Sequence, residues 1–259
     1  AETLAKIKSG DAEDAVRAAA PEVRADREVL LSGGVINSPQ LLMLSGIGPT
    51  DHLRAVDMMP NHHLPGVGQN LQDHLEIYLQ SRCTQPITLR RYMNPVSKGL
   101  AGLQWLLTKT GIGASNHFEA GGFIRGNDRV TYPNLQYHFL PIAIRYDGSS
   151  PESGHGYQVH VGPMNTDVRG HVKITSSDPK VYPEVLFNYL STEQERREWV
   201  EAVRCTRNIM TQPAFDDYRG EEIAPGPEVE TDEEIIDDKY GQTNNTNGND
   251  GENNDQGNG

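Results

Sequence analysis

Long apolar runs are missing from this sequence. Hydrophobic residues make up 36% of its 259 positions and the mean hydropathy is −0.61. No stretch approaches the roughly 20 apolar residues of a membrane-spanning helix, and no basic, then apolar, leader opens the chain. The expectation is a soluble, cytoplasmic protein, with peripheral membrane attachment of a longer parent left open. Cysteine is equally scarce. Cys83 and Cys205 stand far apart with no metal-ligand spacing, which argues against a disulfide framework and for buried thiols in a reducing compartment. Basic charge is short as well, at 23 Lys and Arg against 36 Asp and Glu. Residues 221–259 hold twelve acids and one base, so −11 of the net −13 lies there and the body is nearly neutral. A nucleic-acid surface is therefore not expected.

What is present is organised around Leu30 to Gly48, LLSGGVINSPQLLMLSGIG. Glu28 to Leu31 predict a buried strand. Gly33-Gly34 permit a close backbone turn, and Asn37 or Ser38 can cap a helix with Pro39 in its first turn. Leu41, Leu42 and Leu44 give that helix its apolar cover, and Gly46 and Gly48 end it. Strand, glycine turn and capped helix can present backbone N–H groups to a phosphate, or can simply pack.

Two weak helical turns are expected in 1–21, and a second short helix at 49–56. The loop Leu64 to His74, LPGVGQNLQDH, carries Asn70, Asp73 and His74 either as turn caps or as the lining of a site. Alternation over Leu75 to Ser81 predicts a half-buried strand. Asn94-Pro95 open a helix running through Val96, Leu100, Leu103, Leu106 and Leu107 to Gly111. Strands are expected at 120–125, 134–140, 156–164 and 170–175, the last two as an antiparallel hairpin around Asn165-Thr166-Asp167. Thr192 and Glu195 form a capping box for the longest helix, 193–211, with Trp199, Val203, Thr206 and Met210 facing the core. A second box, Thr231 and Glu234, precedes Ile235 and Ile236. Residues 241–259 contain nothing that can fill a core, and are expected to be disordered.

Nine histidines invite a metal reading, but their spacing gives none, and no metal is expected. His62 and His63 read as solvated and His52 as a helix-surface residue, while His155, His160 and His171 lie near the expected hairpin and can meet across it. Glu119, beside Phe118 and before the apolar Gly121 to Ile124, is either an exposed strand-end carboxylate or a receptor for a quaternary ammonium. Such a cation donates no ordinary hydrogen bond and is held by charge and ring faces. His138, between Tyr137 and Phe139, is either a satisfied core histidine or a hydrogen-bond partner for a substrate hydroxyl.

The run Ser38, Pro39, Leu41, Leu42, Ser45, Gly46, Ile47, Gly48 resembles the second signature of the glucose-methanol-choline (GMC) family of FAD-dependent oxidoreductases. The loop PGVGQNLQDH resembles a second hallmark. TGIGASNHFEAGGFIR, PNLQYHFLP, RGHVKITSSDP, FNYLS and PGPEVETDEE extend the likeness, toward choline-oxidising members, over about 24–234. The resemblance implies FAD as cofactor, contacted by Ser32, Gly33 and Gly34 with Asn70 and Asp73 close to the flavin. It also implies oxidation of choline, or a similar small alcohol, to the aldehyde by hydride transfer, with Glu119 and Phe118 at the trimethylammonium group and His138 as the catalytic histidine. The electron acceptor is not indicated, and a homo-oligomer is compatible with the family. The family's N-terminal G-x-G-x-x-G and its C-terminal His-Pro-x-Gly-Thr segment are absent, so the expectation is a catalytically weak middle portion of such an enzyme. The alternatives are another alcohol dehydrogenase of the family, or a non-catalytic choline-binding module.

The implied fold class is α+β. An antiparallel substrate-domain sheet with flanking helices is joined to part of a Rossmann-like FAD-binding unit. Its expected divisions are an extension at 1–22, a partial FAD-binding domain at 23–74, a substrate domain at 75–220 and an acidic tail at 221–259.

Overall fold

A computed structural model describes residues 25–144 and 154–238. The helical turns expected in 1–21 and the tail at 241–259 lie outside the described residues.

The expected strand at 28–31 does not form. A strand is held by its neighbours. Among the described residues none pairs with 28–32, and Val29 and Leu30 stay exposed. Helix α1 (Gly34–Leu44) begins ahead of both expected caps. Gly33 occupies the cap position, and Gly34 takes φ +85°, turning the chain into the helix before Asn37 is reached. Pro39 therefore sits inside the helix rather than in its first turn, and the bond its N–H would have made to Val35 is lost. Ser45 closes the helix, with its hydroxyl donating to the Leu41 carbonyl at 2.7 Å.

Beyond it, β1 (Ile47–Gly48) pairs in parallel with β2 (His62–His63) around the short helix α2 (Thr50–Ala55). Met43, Leu53, Val67 and Ile174 form a small core beneath them. Strands β3 (Gln69–Leu71), β8 (Gly170–Lys173) and β9 (Glu184–Leu186) make an antiparallel sheet in the order β3-β8-β9. Gly68 is required at its edge. It has φ +74°, and a Cβ there would stand 2.1 Å from the Val172 carbonyl oxygen.

The larger sheet is antiparallel throughout. It comprises β4 (Ile77–Cys83), β5 (Ala120–Ile124), β6 (Leu135–Leu140), β7 (Gly156–Pro163) and β10 (Arg219–Ala224), in the order β10-β4-β7-β6-β5. One face carries Ile77, Leu79, Tyr137, Val159 and Val161 against helix α4 (Glu193–Met210), where Trp199, Val203, Thr206 and Met210 are buried as the spacing predicts. The other face of β4 is covered too. Tyr78 and Gln80 are buried, so the strand is not half-exposed as its alternation suggested.

The expected hairpin between 156–164 and 170–175 is also absent, because β7 and β8 belong to different sheets. The intervening loop is tied to α4 instead. The Thr166 hydroxyl donates to Glu195 at 2.8 Å and the Thr192 hydroxyl donates to Asp167 at 2.6 Å, which carries the chain from one sheet to the other.

The expected box at Thr231 forms in full and that at Thr192 by half. Thr192 accepts from the Glu195 N–H at 3.2 Å, while Glu195 turns to the Leu190 N–H rather than back to Thr192. Thr231 and Glu234 bond reciprocally, at 3.2 and 2.8 Å, ahead of a helix α5 over 232–238 that buries Ile235 in the main core. Helix α3 (Pro95–Thr108) has the expected Asn94 cap and ends at Lys109, which takes φ +55°. Its apolar residues, however, are exposed rather than packed.

Candidate functional site

Register gathers the site residues. Tyr78 on β4 opposes His160 on β7, which opposes His138 on β6, which opposes Gly121 on β5. Directly opposed residues in an antiparallel sheet share a face, so these four lie in one row on the side away from α4. Gly121 adds no side chain to the row. Phe118 comes down in its place, after the chain turns at His117 with φ +68°, and sits edge-on to both histidine rings, 5.8 Å from His138 and 6.0 Å from His160. The Tyr78 and His160 rings lie 5.6 Å apart.

Glu119 stands at the rim. Its N–H donates to the Phe139 carbonyl at 3.1 Å, extending β5 by one residue, and its side chain is exposed. Phe118 is itself 45% exposed, so a ligand approaching from solvent meets a ring and a carboxylate together. The face continues into an apolar cavity of about 530 Å³, lined by Leu140, Ile142 and Ile144 from the sheet side and by Ala101, Gly102 and Ile112 around α3.

The structure thus brings Phe118 to His138, with Glu119 next in the chain and exposed. It adds Tyr78, Gln158 and Glu76, for which only strand alternation is visible in the sequence, and sets His160, expected near a hairpin, against Phe118 and Tyr78. His160 does not meet His155 or His171. His155 pairs with Thr88 at 2.8 Å, and His171 lies against Glu184 on the other sheet. His63 is not simply solvated, since its Nδ1 accepts from the Thr50 N–H at 3.3 Å, at the start of α2. His52 is half-buried rather than a free surface residue. Among the described residues no group of three His, Cys, Asp or Glu is placed to hold a metal ion.

The expected cofactor residues form a separate group. Gly33 and Gly34 border a second cavity, of about 740 Å³, closed on its other side by the segment Pro179 to Pro183. No side chain caps the first turn of α1, so its leading N–H groups are available, and nothing lies within 4 Å of where a Gly34 Cβ would be. Asn70 takes φ +63° in β3, and Asp73 accepts a hydrogen bond from the Tyr189 hydroxyl. Burial and that neighbouring carboxylate together push the Tyr189 phenol well above its usual range. Ser32 is exposed beside Gly33.

The sequence model of the GMC oxidoreductase N-terminal domain matches residues 6–76, and that of the C-terminal domain matches 166–249. The chain belongs to the GMC oxidoreductase family. GMC oxidoreductases are FAD-binding flavoproteins. An oxygen-dependent choline dehydrogenase of Staphylococcus xylosus is 60% identical over 210 residues, 81% of this chain and 38% of that protein. One from Staphylococcus aureus strain MSSA476 is 56% identical over 211 residues, 82% and 37%. The chain therefore spans under two-fifths of the length of these curated relatives. Among solved structures, formate oxidase from Aspergillus oryzae superposes with a TM-score of 0.75 at 22% identity, over 84% of this chain and 43% of that one. Pyridoxine 4-oxidase gives 0.64 at 24%, over 82% and 38%. At such identities these two establish the fold alone. The two GMC domain matches leave 77–165 between them, and that interval carries Tyr78, Phe118, Glu119, His138 and His160. Among the described residues no helix is long and apolar enough to cross a membrane.

Proposed function

We propose that this chain forms the substrate face of an FAD-dependent GMC enzyme that oxidises choline to betaine aldehyde. The observation that carries the reading is the arrangement of Phe118 edge-on to His138 and His160, with Glu119 at its rim. A quaternary ammonium needs a carboxylate and ring faces, and an alcohol being oxidised needs a hydrogen-bonding group at its oxygen. The names of the staphylococcal relatives support the same substrate.

In this reading Glu119 compensates the trimethylammonium charge and Phe118 supplies the ring against its methyl groups. That fixes the head of choline and leaves its hydroxymethyl end toward His138. The His138 imidazole hydrogen-bonds the hydroxyl and accepts its proton as the carbon gives up its hydride. FAD, when bound, supplies the acceptor for that hydride. The residues that would hold FAD are Ser32, Gly33 and Gly34, with Asn70 and Asp73 near it. The uncapped first turn of α1, the left-handed Gly34 and the adjoining cavity suit a phosphate-bearing ligand.

The test is the visible spectrum of the purified chain after incubation with FAD and gel filtration, followed by choline under anaerobic conditions. A retained flavin band bleached by choline is expected. Glu119→Gln should weaken choline binding by roughly tenfold, about 1.4 kcal/mol, and leave the uncharged isostere 3,3-dimethylbutan-1-ol unaffected. Equal losses for both ligands would remove the ammonium role of Glu119, and no retained flavin would overturn the assignment of Ser32, Gly33 and Gly34.

A further inference from the structure

Beneath the ring cluster runs a chain of four side chains that the alcohol chemistry leaves unused. It starts from the backbone of Ile144. The Ile144 N–H donates to Gln158 Oε1 at 2.9 Å, and the Gln80 amide nitrogen donates both to the Ile144 carbonyl at 2.7 Å and to Gln158 Oε1 at 2.9 Å. Two backbone groups of opposite character therefore fix which way both amides point. With its oxygen committed to two donors, Gln158 presents its nitrogen to His160 Nε2, 2.6 Å away. An amide nitrogen only donates, so Nε2 of His160 must accept and carries no proton. The ring proton is then on Nδ1, which donates to Glu76 Oε1 at 2.9 Å. A doubly protonated His160 would set an N–H against the Gln158 N–H, so the pair with Glu76 is a neutral imidazole on a carboxylate rather than an ion pair.

An imidazole whose N–H is given to a carboxylate is electron-rich, and its ring meets the edge of Phe118 at 75°. Buried against Phe118, it strengthens from beneath the field that a cation on Phe118 meets, and is indifferent to a neutral group of the same shape. We propose that Glu76 is a specificity-determining residue for quaternary ammonium substrates, acting through His160, whose Nδ1–H tautomer is set by Gln158 and ultimately by the Ile144 backbone. The proposal rests on the reading of this face as an ammonium site. It adds a second anionic element, the half-exposed Glu76 just ahead of β4, to the carboxylate of Glu119.

Long-range 1H–15N correlation spectra of the labelled chain read the tautomer directly, with the His160 signals identified from the His160→Phe variant. Protonation at Nδ1 alone is expected, and protonation at Nε2 or at both nitrogens overturns the proposal. Calorimetry with choline and with 3,3-dimethylbutan-1-ol tests the consequence. Glu76→Gln keeps an acceptor for Nδ1–H and removes the charge, and should weaken choline roughly three- to tenfold, the scale of a cation–π contribution, with the isostere within about twofold. His160→Leu removes both the ring and the link, and should lose the same preference, with no further loss in the double variant. Equal weakening of both ligands, or a His160→Leu protein that keeps its preference for choline, sinks the proposal alone. Failure of the unaltered chain to bind choline sinks the ammonium reading and the proposal with it, while the His160 spectrum still reports its tautomer.

Discussion

Tyr137 shows what a single buried phenol does to the pH dependence of this fold. It lies on the α4 side of β6, and burial pushes its pKa from 10.0 up to about 12, partly offset by the Thr206 hydroxyl and reinforced by Cys205. The fold therefore favours the protonated phenol. Its contribution to stability is complete below pH 10 and is lost as pH rises from 10 toward 12. Urea unfolding at pH 8 and pH 11 should show a smaller loss between the two for Tyr137→Phe than for the unaltered chain; equal losses would mean that this phenol ionises as freely in the fold as outside it. At the same scale, the sequence showed half of the candidate site. Phe118 and Glu119 are adjacent, and His138 sits in a strand that alternation marks clearly, so their chemistry is visible locally. Glu76, Gln158 and His160 were not legible as a unit. Glu76 is 84 positions from His160, and Gln80 is 78 from Gln158. Only strand register brings such groups together, and nothing in their immediate neighbours encodes it.

Most local signals read correctly, the cap expected at Asn37 or Ser38 excepted, whereas which strands pair was not visible. The box at Thr231 formed reciprocally and that at Thr192 formed its N-cap bond. The hairpin expected around Asn165 to Asp167 failed because β7 has better partners in β4 and β6, while Thr166 and Asp167 are bound to the start of α4. Likewise the segment at 28–31 has strand-like composition but, among the described residues, no strand beside it. Thr192 consequently does two things, capping α4 and holding the loop that passes between the sheets. Thr192→Ala should cost about 1–2 kcal/mol, the upper part of the range for a lost N-cap, whereas Thr192→Ser should be nearly neutral. Chemical denaturation of the two variants separates these roles from simple packing, because both substitutions remove the γ-methyl and a methyl-packing role would make them cost the same.

At the scale of the whole molecule, two groups stand out among the exposed apolar side chains of the described residues. Val29, Leu30, Leu31, Val35 and Ile36 lie before and within the first turn of α1, and Val96, Leu100, Leu103, Trp105, Leu106 and Leu107 lie on α3. On α3 the positions 96, 100, 103 and 107 follow a helical face, and each is between 52% and 72% exposed. Amphipathic spacing alone would place this stripe in a core, which is why its exposure was not legible in the sequence. The segment 85–116 also contains four basic residues and no acidic one, in a chain of net charge −13. The chain should bind the dye ANS strongly in its native state, and Leu100→Ser with Leu103→Ser should remove much of that fluorescence. Because neither side chain is buried, the double variant should unfold within about 1 kcal/mol of the parent, the scale of surface substitutions. A buried pair of leucines would instead cost several kcal/mol. Reduced ANS binding with unchanged stability would confirm that α3 carries an apolar face to solvent, and a large destabilisation would mean that the face is packed in solution.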